Sequence, residues 1–290
     1  MNHVVEADIR SFFDTVNHTW MIAFLEHRIG DPRIIQLIKR MLKAGILEGG
    51  LVQASQEGTP QGSILSPLLS NIYLHYVLDL WFKHKVQKQC RGEAYYVRFA
   101  DDFLACFQYR NDAENFFQVL GPRLNDFGLK LAEEKTRCIE FGRFAREDAA
   151  RKGKKPDEFT FLGFTHYSGK TKTGYFKVKR RTSCKKFKQS LRNLKDWAQK
   201  ARSVLKKGKM LQWAKVHIQG HLNYYAITDN ATRCNQYVYF ATRIIFKWIN
   251  RKSQRKAYNW DGFRHLLEII KWPKPTIRVD LNPFCRAEAR

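Results

Sequence analysis

The sequence has no closely spaced cysteines, no long apolar runs and no repeat of fixed period. Its 290 residues include six cysteines, none of which forms a CxxC pair, so a zinc knuckle or Cys–His finger is not expected. No apolar stretch approaches the roughly 18 residues that cross a membrane, and the N-terminus lacks a signal-peptide pattern. These absences predict a cytoplasmic protein of a reducing compartment, with no membrane partner.

Acidic residues are scarce in the second half of the chain. The sequence has 52 Lys and Arg against 27 Asp and Glu. Residues 1–150 hold 18 basic and 19 acidic residues, whereas residues 151–290 hold 34 and 8. With 44% hydrophobic residues, wholesale disorder is excluded. We expect a near-neutral half that carries chemistry and a half that binds nucleic-acid phosphates. A ribosomal-type basic tail is the alternative, disfavoured because the basic half is also rich in Trp, Tyr, Phe and Leu.

Hydrophobic periodicity predicts a mixed first half and a helical second half. A short strand at residues 4–9 ends in an acidic residue, and residues 95–107 form two β-prone runs typical of a hairpin. Further strands are expected at 129–141 and 159–167, and an exposed loop at 145–158. The predicted helices cover residues 18–29, 32–44, 66–88, 111–126, 185–207, 210–227, 233–251 and 260–271.

The adjacent carboxylates Asp101 and Asp102 at the hairpin tip are the sharpest local feature. Two anions about 4 Å apart repel by about 4 kcal/mol at an effective dielectric near 20. One Asp could point to solvent, the two could share a proton, or a divalent cation could lie there. Asp8 ends the first strand, and if that strand packs beside the hairpin, the carboxylates could hold two Mg²⁺ ions. Such a pair supports in-line phosphoryl transfer.

Five segments, in order, resemble motifs A to E of reverse transcriptases. They are VVEADIRSFFD, EGTPQGSILSPLLSNIYLHYVLD, YYVRFADDF, GLKLAEEKT and FTFLGFTHY. The helical part, with HLNYYAITDN and WDGFRHLLEII, resembles the thumb or X (maturase) domain of group II intron-encoded proteins. The resemblance implies an α/β (α+β) fold, in which an antiparallel palm sheet with covering helices precedes an all-helical thumb. It also implies a palm over residues 1–172, a thumb/X domain over 173–282 and a tail over 283–290.

The resemblance further implies roles for individual residues. The metal ligands would be Asp8, Ile9, Asp101 and Asp102, with the three aspartates catalytic. The nucleotide site would comprise Ile9, Arg10, Ser11, Phe12, Phe13, Pro60, Gln61, Gly62 and Lys135. Primer or RNA would contact Phe161, Leu162, Gly163, Lys179, Arg180, Arg181, Lys185, Lys186, Arg251, Lys252, Arg255 and Lys256.

Some of these residues also have plain structural interpretations. The bulky Phe13 would exclude a ribose 2′-hydroxyl and so select dNTPs, and Lys135 could donate a proton to pyrophosphate. Phe12 and Phe13 could instead be core residues, Gln61-Gly62 an ordinary turn, and Lys135 the solvated end of a strand.

The helical half contains other side chains that could bind ligands. His217 and His221 have i,i+4 spacing, but without a third ligand helix packing or RNA contact is favoured over zinc. Six aromatic residues are expected in the core and not as base-stacking platforms. They are Trp197, Trp213, Tyr224, Tyr225, Trp248 and Trp260.

The implied activity is RNA-directed DNA synthesis with two Mg²⁺ ions, dNTPs, a DNA primer and an RNA template, combined with maturase binding of group II intron RNA in a bacterial-type cytoplasm. One alternative is a non-catalytic RNA-binding splicing factor. Because the family normally has fingers upstream of motif A, a half-protein that needs a separate fingers chain is another. No basic DNA-binding region or HNH endonuclease follows residue 281, so DNA cutting is not expected.

Overall fold

The computed structural model describes residues 1–43, 46–48, 51–53, 58–59, 65–251 and 257–281. The chain divides into two compact units. Unit 1 comprises Met1–Phe161 and Tyr167–Lys177, and unit 2 comprises Leu162–His166 and Val178–Arg290. Within the described ranges, no helix is both long enough and apolar enough to span a bilayer.

Unit 1 combines strands with helices. Its strands are β1 (His3–Ala7), β2 (Ile9–Arg10), β3 (Ile46–Glu48), β4 (Leu51–Gln53), β5 (Ala94–Phe99), β6 (Asp102–Phe107), β7 (Lys130–Leu131), β8 (Arg137–Glu140) and β9 (Glu158–Phe161). Its helices are α1 (Phe12–Thr15), α2 (His18–Glu26), α3 (Pro32–Lys43), α4 (Ser66–Leu74), α5 (Gln87–Gln89), α6 (Arg110–Asn125) and α7 (Ala145–Arg151). Two π-helical stretches, His75–Asp79 and Phe82–Val86, lie between α4 and α5.

The central sheet of unit 1 has four strands in the order β5-β6-β1-β8. β6 pairs antiparallel with β5 and with β1, and β1 pairs antiparallel with β8. Helix α6 packs on this sheet, and α2, α4 and the two π-helical stretches contribute apolar side chains to the same core, in which Tyr73, Phe103, Phe107 and Phe116 are almost fully buried. The sheet is therefore held by a core on its helical side.

Unit 2 is a helical bundle. Its helices are α8 (Cys184–Val204), α9 (Lys207–Tyr225), α10 (Ala231–Asn250) and α11 (Trp260–Ile269). They enclose a second core that includes Leu194, Ile218, Tyr237 and Phe263. A three-stranded sheet has the order β11-β10-β9, with β10 at Phe164–Lys170 and β11 at Phe176–Thr182.

The structure confirms the predicted fold class: an antiparallel sheet covered by helices, followed by helices. It corrects several elements. Residues 145–158 are not simply a loop, since they contain α7. Helix α6 begins at Arg110, one residue before the predicted start, and continues through Pro122. The expected helix over 66–88 changes to π-helical geometry after Leu74.

Candidate active site at one end of the central sheet

Strand register brings Asp8 to the tip of the β5–β6 hairpin. Ala7, the last residue of β1, lies opposite Phe103 of β6. Asp8 follows Ala7, and Asp102 precedes Phe103, so antiparallel pairing places these two acids at the same end of the sheet. Asp101 lies in the turn that joins β5 to β6. The three aspartates predicted to be catalytic therefore lie at the same end of the sheet, although Asp8 is more than ninety positions from the others in the sequence.

The hairpin turn is held by a largely buried arginine side chain, Arg98, that the sequence analysis missed. The Arg98 guanidinium donates to both carboxylate oxygens of Asp79, at 2.8 and 2.6 Å, and to the side-chain oxygen of Asn71 at 2.9 Å. It also donates to the carbonyl of Ala100 at 3.0 Å. Ala100 has a left-handed backbone with φ of 54°, which is uncommon for a residue other than glycine. Arg98 thus fixes the turn that carries Asp101.

Negative charge is concentrated at this end of the sheet. Burial, followed by the charges of Asp101, Asp8 and Glu6, raises the pKa of Asp102. The charge of Lys135 acts in the opposite direction. A carboxyl whose pKa is raised by neighbouring anions is typical of a site that a cation neutralises.

Lys135 is the cation in contact with Asp8. Its ammonium lies 2.5 Å from Oδ2 of Asp8, and the backbone N–H of Ala132 donates to the Asp8 carbonyl at 2.9 Å. Lys135 ends a short 3₁₀ turn, Glu133–Lys135, and its side chain is mostly exposed. The hydrogen bond to Asp8 raises the pKa of Lys135. Lys135 is therefore not merely the solvated end of a strand.

The donor set suits a hard divalent cation, because carboxylate oxygens are the ligands that Mg²⁺ prefers. Within the part of the chain that is described, however, no three His, Cys, Asp or Glu side chains lie close enough to share a metal ion. Ile9 is buried and has no side-chain donor, so only its backbone carbonyl could contact an ion. The residues fit Mg²⁺ by type, while in this conformation Lys135 supplies the positive charge at Asp8.

The segment after Asp8 forms the short strand β2 and then the start of α1. Ile9 pairs with Leu131 and Arg10 with Lys130, and Ser11 adopts a left-handed backbone with φ of 45° before α1. Phe12 is buried, so the core interpretation is correct for this residue. Phe13 is only partly buried and packs against the core.

Gly58 allows the chain to approach the segment after Asp8 closely. Its φ is +85°, and an added Cβ would lie 2.8 Å from the Phe13 carbonyl. Thr59 donates its backbone N–H to that same carbonyl at 2.7 Å. The predicted nucleotide-site residues Pro60, Gln61 and Gly62 lie outside the described residues.

The predicted primer-binding turn has a strained and well-supported backbone. Leu162 and Gly163 both have positive φ, at 49° and 79°. The Leu162 carbonyl accepts from the Tyr224 hydroxyl at 2.9 Å, and the Gly163 carbonyl accepts from the Ser183 N–H at 2.9 Å. Unit 2 therefore holds this turn in one conformation. Phe161, the third predicted residue, ends β9 in unit 1.

Basic residues of the second half occupy several surfaces. Lys179, Arg180 and Arg181 are half-buried on β11, whereas Lys185 and Lys186 are exposed in the first turn of α8. Arg251 is exposed and lies 5.6 Å from the Trp248 ring, which Arg202 and Lys247 also approach. Lys252, Arg255 and Lys256 lie outside the described residues.

Three of the six aromatic residues expected in the core are exposed. Trp213, Tyr224 and Trp260 are 60%, 53% and 39% exposed, whereas Trp248 is buried and Trp197 and Tyr225 are half-buried. The amphipathic period of a helix does not distinguish an inward aromatic from one at the margin of the apolar face, which explains the error. His221 is buried against Tyr237, in agreement with the helix-packing interpretation.

Comparisons with known proteins agree with these features. A family model described as reverse transcriptase (RNA-dependent DNA polymerase) matches residues 1–166. The chain is 47% identical over 83 residues to the group II intron-encoded protein LtrA of Lactococcus lactis subsp. cremoris, covering 27% of this chain and 14% of that protein. It is 36% identical over 126 residues to protein YkfC of Escherichia coli K12, covering 35% and 33%.

A solved structure gives a further likeness. Telomerase from Candida albicans in complex with a TWJ fragment of telomeric RNA aligns with a TM-score of 0.44 at 15% identity, over 93% of this chain and 47% of that one. The chain matches a third or less of the length of the two curated relatives.

Proposed function

The chain belongs to the reverse transcriptase (RNA-dependent DNA polymerase) family, and on that premise we propose that it is an RNA-directed DNA polymerase of the group II intron type with a maturase role. Unit 1 would serve as the palm and unit 2 as the thumb. The observation that carries the proposal is the register of β1 with β6, which brings Asp8 to the Asp101-Asp102 turn.

Asp8, Asp101 and Asp102 would hold two Mg²⁺ ions, with the carbonyl of Ile9 as a further ligand. When bound, the ions would make the primer 3′-hydroxyl more acidic and neutralise charge on the phosphates. The carboxylates would fix the ions and so orient the hydroxyl toward the α-phosphate. Arg98 would contribute by positioning the turn from which Asp101 projects.

Lys135 would act as a proton donor to the leaving pyrophosphate. Its hydrogen bond to Asp8 raises its pKa, so the ammonium is protonated at neutral pH, as a donor must be. Because its side chain is mostly exposed, it can leave Asp8 when a nucleotide and a divalent cation enter. Lys135 and the metal ion would therefore bind the Asp8 carboxylate alternately.

The segment from Ile9 to Phe13 would lie beneath the incoming nucleotide. Phe13 packs against the core on one side and is partly exposed on the other, so its ring can form a fixed wall. A rigid aromatic wall excludes a 2′-hydroxyl by size, which supports a preference for dNTPs over rNTPs.

Primer extension on an RNA template tests the proposal. Asp101→Ala removes one carboxylate from the candidate metal site. We expect DNA synthesis to fall by at least about three orders of magnitude, because metal positioning is lost. Asp157→Ala, which removes an exposed acid of unit 1, is the matched control and should retain wild-type synthesis. Synthesis that survives Asp101→Ala would contradict the proposal.

A second candidate is a non-catalytic RNA-binding splicing factor. The observation that favours it is the Lys135–Asp8 ion pair, which neutralises Asp8 without a metal, together with the basic second half. A wild-type chain that extends no primer, but binds intron RNA as tightly as its Asp101→Ala variant, would support this candidate.

A further inference from the structure

Unit 2 carries an aromatic and basic cleft on the outer side of α10 and α11. It has a volume of about 350 Å³, within the range of small-ligand sites. The residues that line it are Tyr239, Thr242, Arg243, Trp260 and Arg264. None of these belongs to the candidate active site.

Each helix contributes the same pair of residue types. α10 presents Tyr239 and, four residues later, Arg243, while α11 presents Trp260 and, four residues later, Arg264. An i,i+4 spacing places each arginine on the same helix face as its aromatic ring. The cleft therefore has two rings and two guanidinium groups facing a common space.

Neighbouring residues of unit 2 hold the side chains of the cleft in place. Trp260 stacks on Phe246 with ring centroids 3.8 Å apart. Thr242 donates to the Val238 carbonyl at 2.7 Å and accepts from the Trp272 indole at 3.0 Å. Arg243 donates to the Tyr239 hydroxyl at 2.7 Å, which holds its guanidinium over the ring, 5.5 Å from the centroid. Tyr239 is nevertheless 54% exposed, so part of its ring remains accessible.

The charge of the cleft selects the ligand. Arg264 pairs with Asp261 at 2.6 Å, but both side chains are more than two-thirds exposed, and such a pair is weak. Aromatic rings bind bases of any sequence by stacking, and arginines bind phosphate through paired donors. Cationic peptides would be repelled by the same arginines.

We propose that this cleft binds one unpaired nucleotide of an RNA, with its base against Tyr239 and Trp260 and its phosphate on Arg243 and Arg264. The inference takes from the proposed function only that RNA is the ligand. It adds a second RNA site, remote in sequence from the carboxylates, that discriminates unpaired from paired nucleotides.

Fluorescence anisotropy with the full chain tests the proposal. The probes are a labelled RNA hairpin with a single-nucleotide bulge and the same hairpin without it. Tyr239→Ala should weaken binding of the bulged hairpin by roughly 5- to 150-fold, the range expected for loss of one base–aromatic stack, and leave the perfect hairpin within about twofold. Tyr239→Phe keeps the ring but removes the hydroxyl that orients Arg243, so it should lose less affinity for the bulged hairpin than Tyr239→Ala does.

The arginine variants separate charge from stacking. Arg243→Ala should reduce the slope of log affinity against log salt by about one, because one phosphate contact is lost, whereas Arg243→Lys should keep the slope. Trp260→Ala also removes the contact with Phe246, so Trp260→Phe is its partner variant and should restore binding of the bulged hairpin.

The matched control is Tyr175→Ala, which removes a 74% exposed ring of unit 1 and should leave binding of both probes unchanged. Wild-type binding by Tyr239→Ala, or equal losses for both hairpins in a variant with wild-type circular dichroism, would overturn the proposal. Placing Tyr239→Ala in an Asp101→Ala background separates this result from polymerase function, since the bulge effect should persist without DNA synthesis.

Discussion

Among the single residues, buried His221 makes the stability of unit 2 depend on pH. Its ring stacks on Tyr237 with centroids 3.4 Å apart, and its Nδ1 lies 3.1 Å from the Ser190 hydroxyl. Its Nε2 is also buried and has no hydrogen-bond partner among the described residues. Burial, with a smaller contribution from the charge of His217, lowers the pKa of His221 to about 4.

A lowered histidine pKa predicts acid sensitivity. Between about pH 6.5 and pH 4 the unfolded chain binds a proton at His221 that the folded chain does not, so stability falls as pH drops through that window. His221→Gln should therefore remove about 2 kcal/mol of the stability lost between pH 7 and pH 5. Urea unfolding at the two pH values measures this effect.

His84→Gln is the control for this prediction, because His84 is exposed in unit 1, and its pH dependence should match that of the wild type. A His221→Gln variant with the same pH dependence as the wild type would contradict the assignment.

At the scale of single residues, the sequence predicted the positions of the three aspartates better than it predicted the side chains that hold their turn in place. Asp8 and the Asp101-Asp102 pair could be found because each follows or interrupts an apolar strand, and register then brought them together. Arg98 and Asp79 are separated by 19 residues, and nothing in a strand pattern tells which arginine turns inward to an acid. The only available signal was a charged residue between Val97 and Phe99 in an otherwise apolar run.

Among the elements, the turn between β9 and β10 is tightly constrained. Gly163 has φ of +79°, and an added Cβ would lie 2.8 Å from the Tyr225 hydroxyl oxygen. Phe164, the next residue, packs against Tyr224 and Tyr225 with centroids 5.6 and 5.2 Å apart. The start of β10 is thus fixed to the end of α9 through aromatic contacts and a close backbone approach.

Gly163→Ala should destabilise unit 2 by about 1–3 kcal/mol, through the cost of a positive φ and the clash with Tyr225. Gly174→Ala is the matched control, since Gly174 has φ of +89° with no atom near its added Cβ, and it should lose only the backbone part. In a Tyr225→Phe background, Gly163→Ala should lose less. Thermal unfolding measures all of these variants, and equal losses for Gly163→Ala in both backgrounds would contradict the steric account.

Element positions followed the apolar pattern where that pattern was strong. The long helices of unit 2 and the β5–β6 hairpin lie within a few residues of their predicted bounds. Helix α7 was missed because Ala145 is its only buried residue, leaving little apolar period to detect. The π-helical stretches bond residues five apart, as from the Leu80 N–H to the His75 carbonyl, and side-chain periodicity does not reveal that local change.

Over the whole molecule, charge and chemistry are divided along the chain. The acids of the candidate active site belong to a nearly neutral first half, and the excess of basic residues belongs to the second half. This division was predictable from composition alone, because it depends on counts and not on contacts. Which surfaces the basic residues occupy was not predictable, since exposure depends on how each helix faces its core.

The central claim is that Asp8 and the Asp101-Asp102 turn together bind metal ions at one end of the central sheet. The most direct test is to locate a metal ion there. Fe²⁺ substituted for Mg²⁺, with hydrogen peroxide and ascorbate added, generates hydroxyl radicals that cleave the backbone near the bound ion. With primer–template present, the account predicts cleavage both near Asp8 and near Asp101, suppressed by excess Mg²⁺ and by Asp101→Asn but not by Asp157→Asn. Cleavage near only one of the two segments, or near neither, would contradict it.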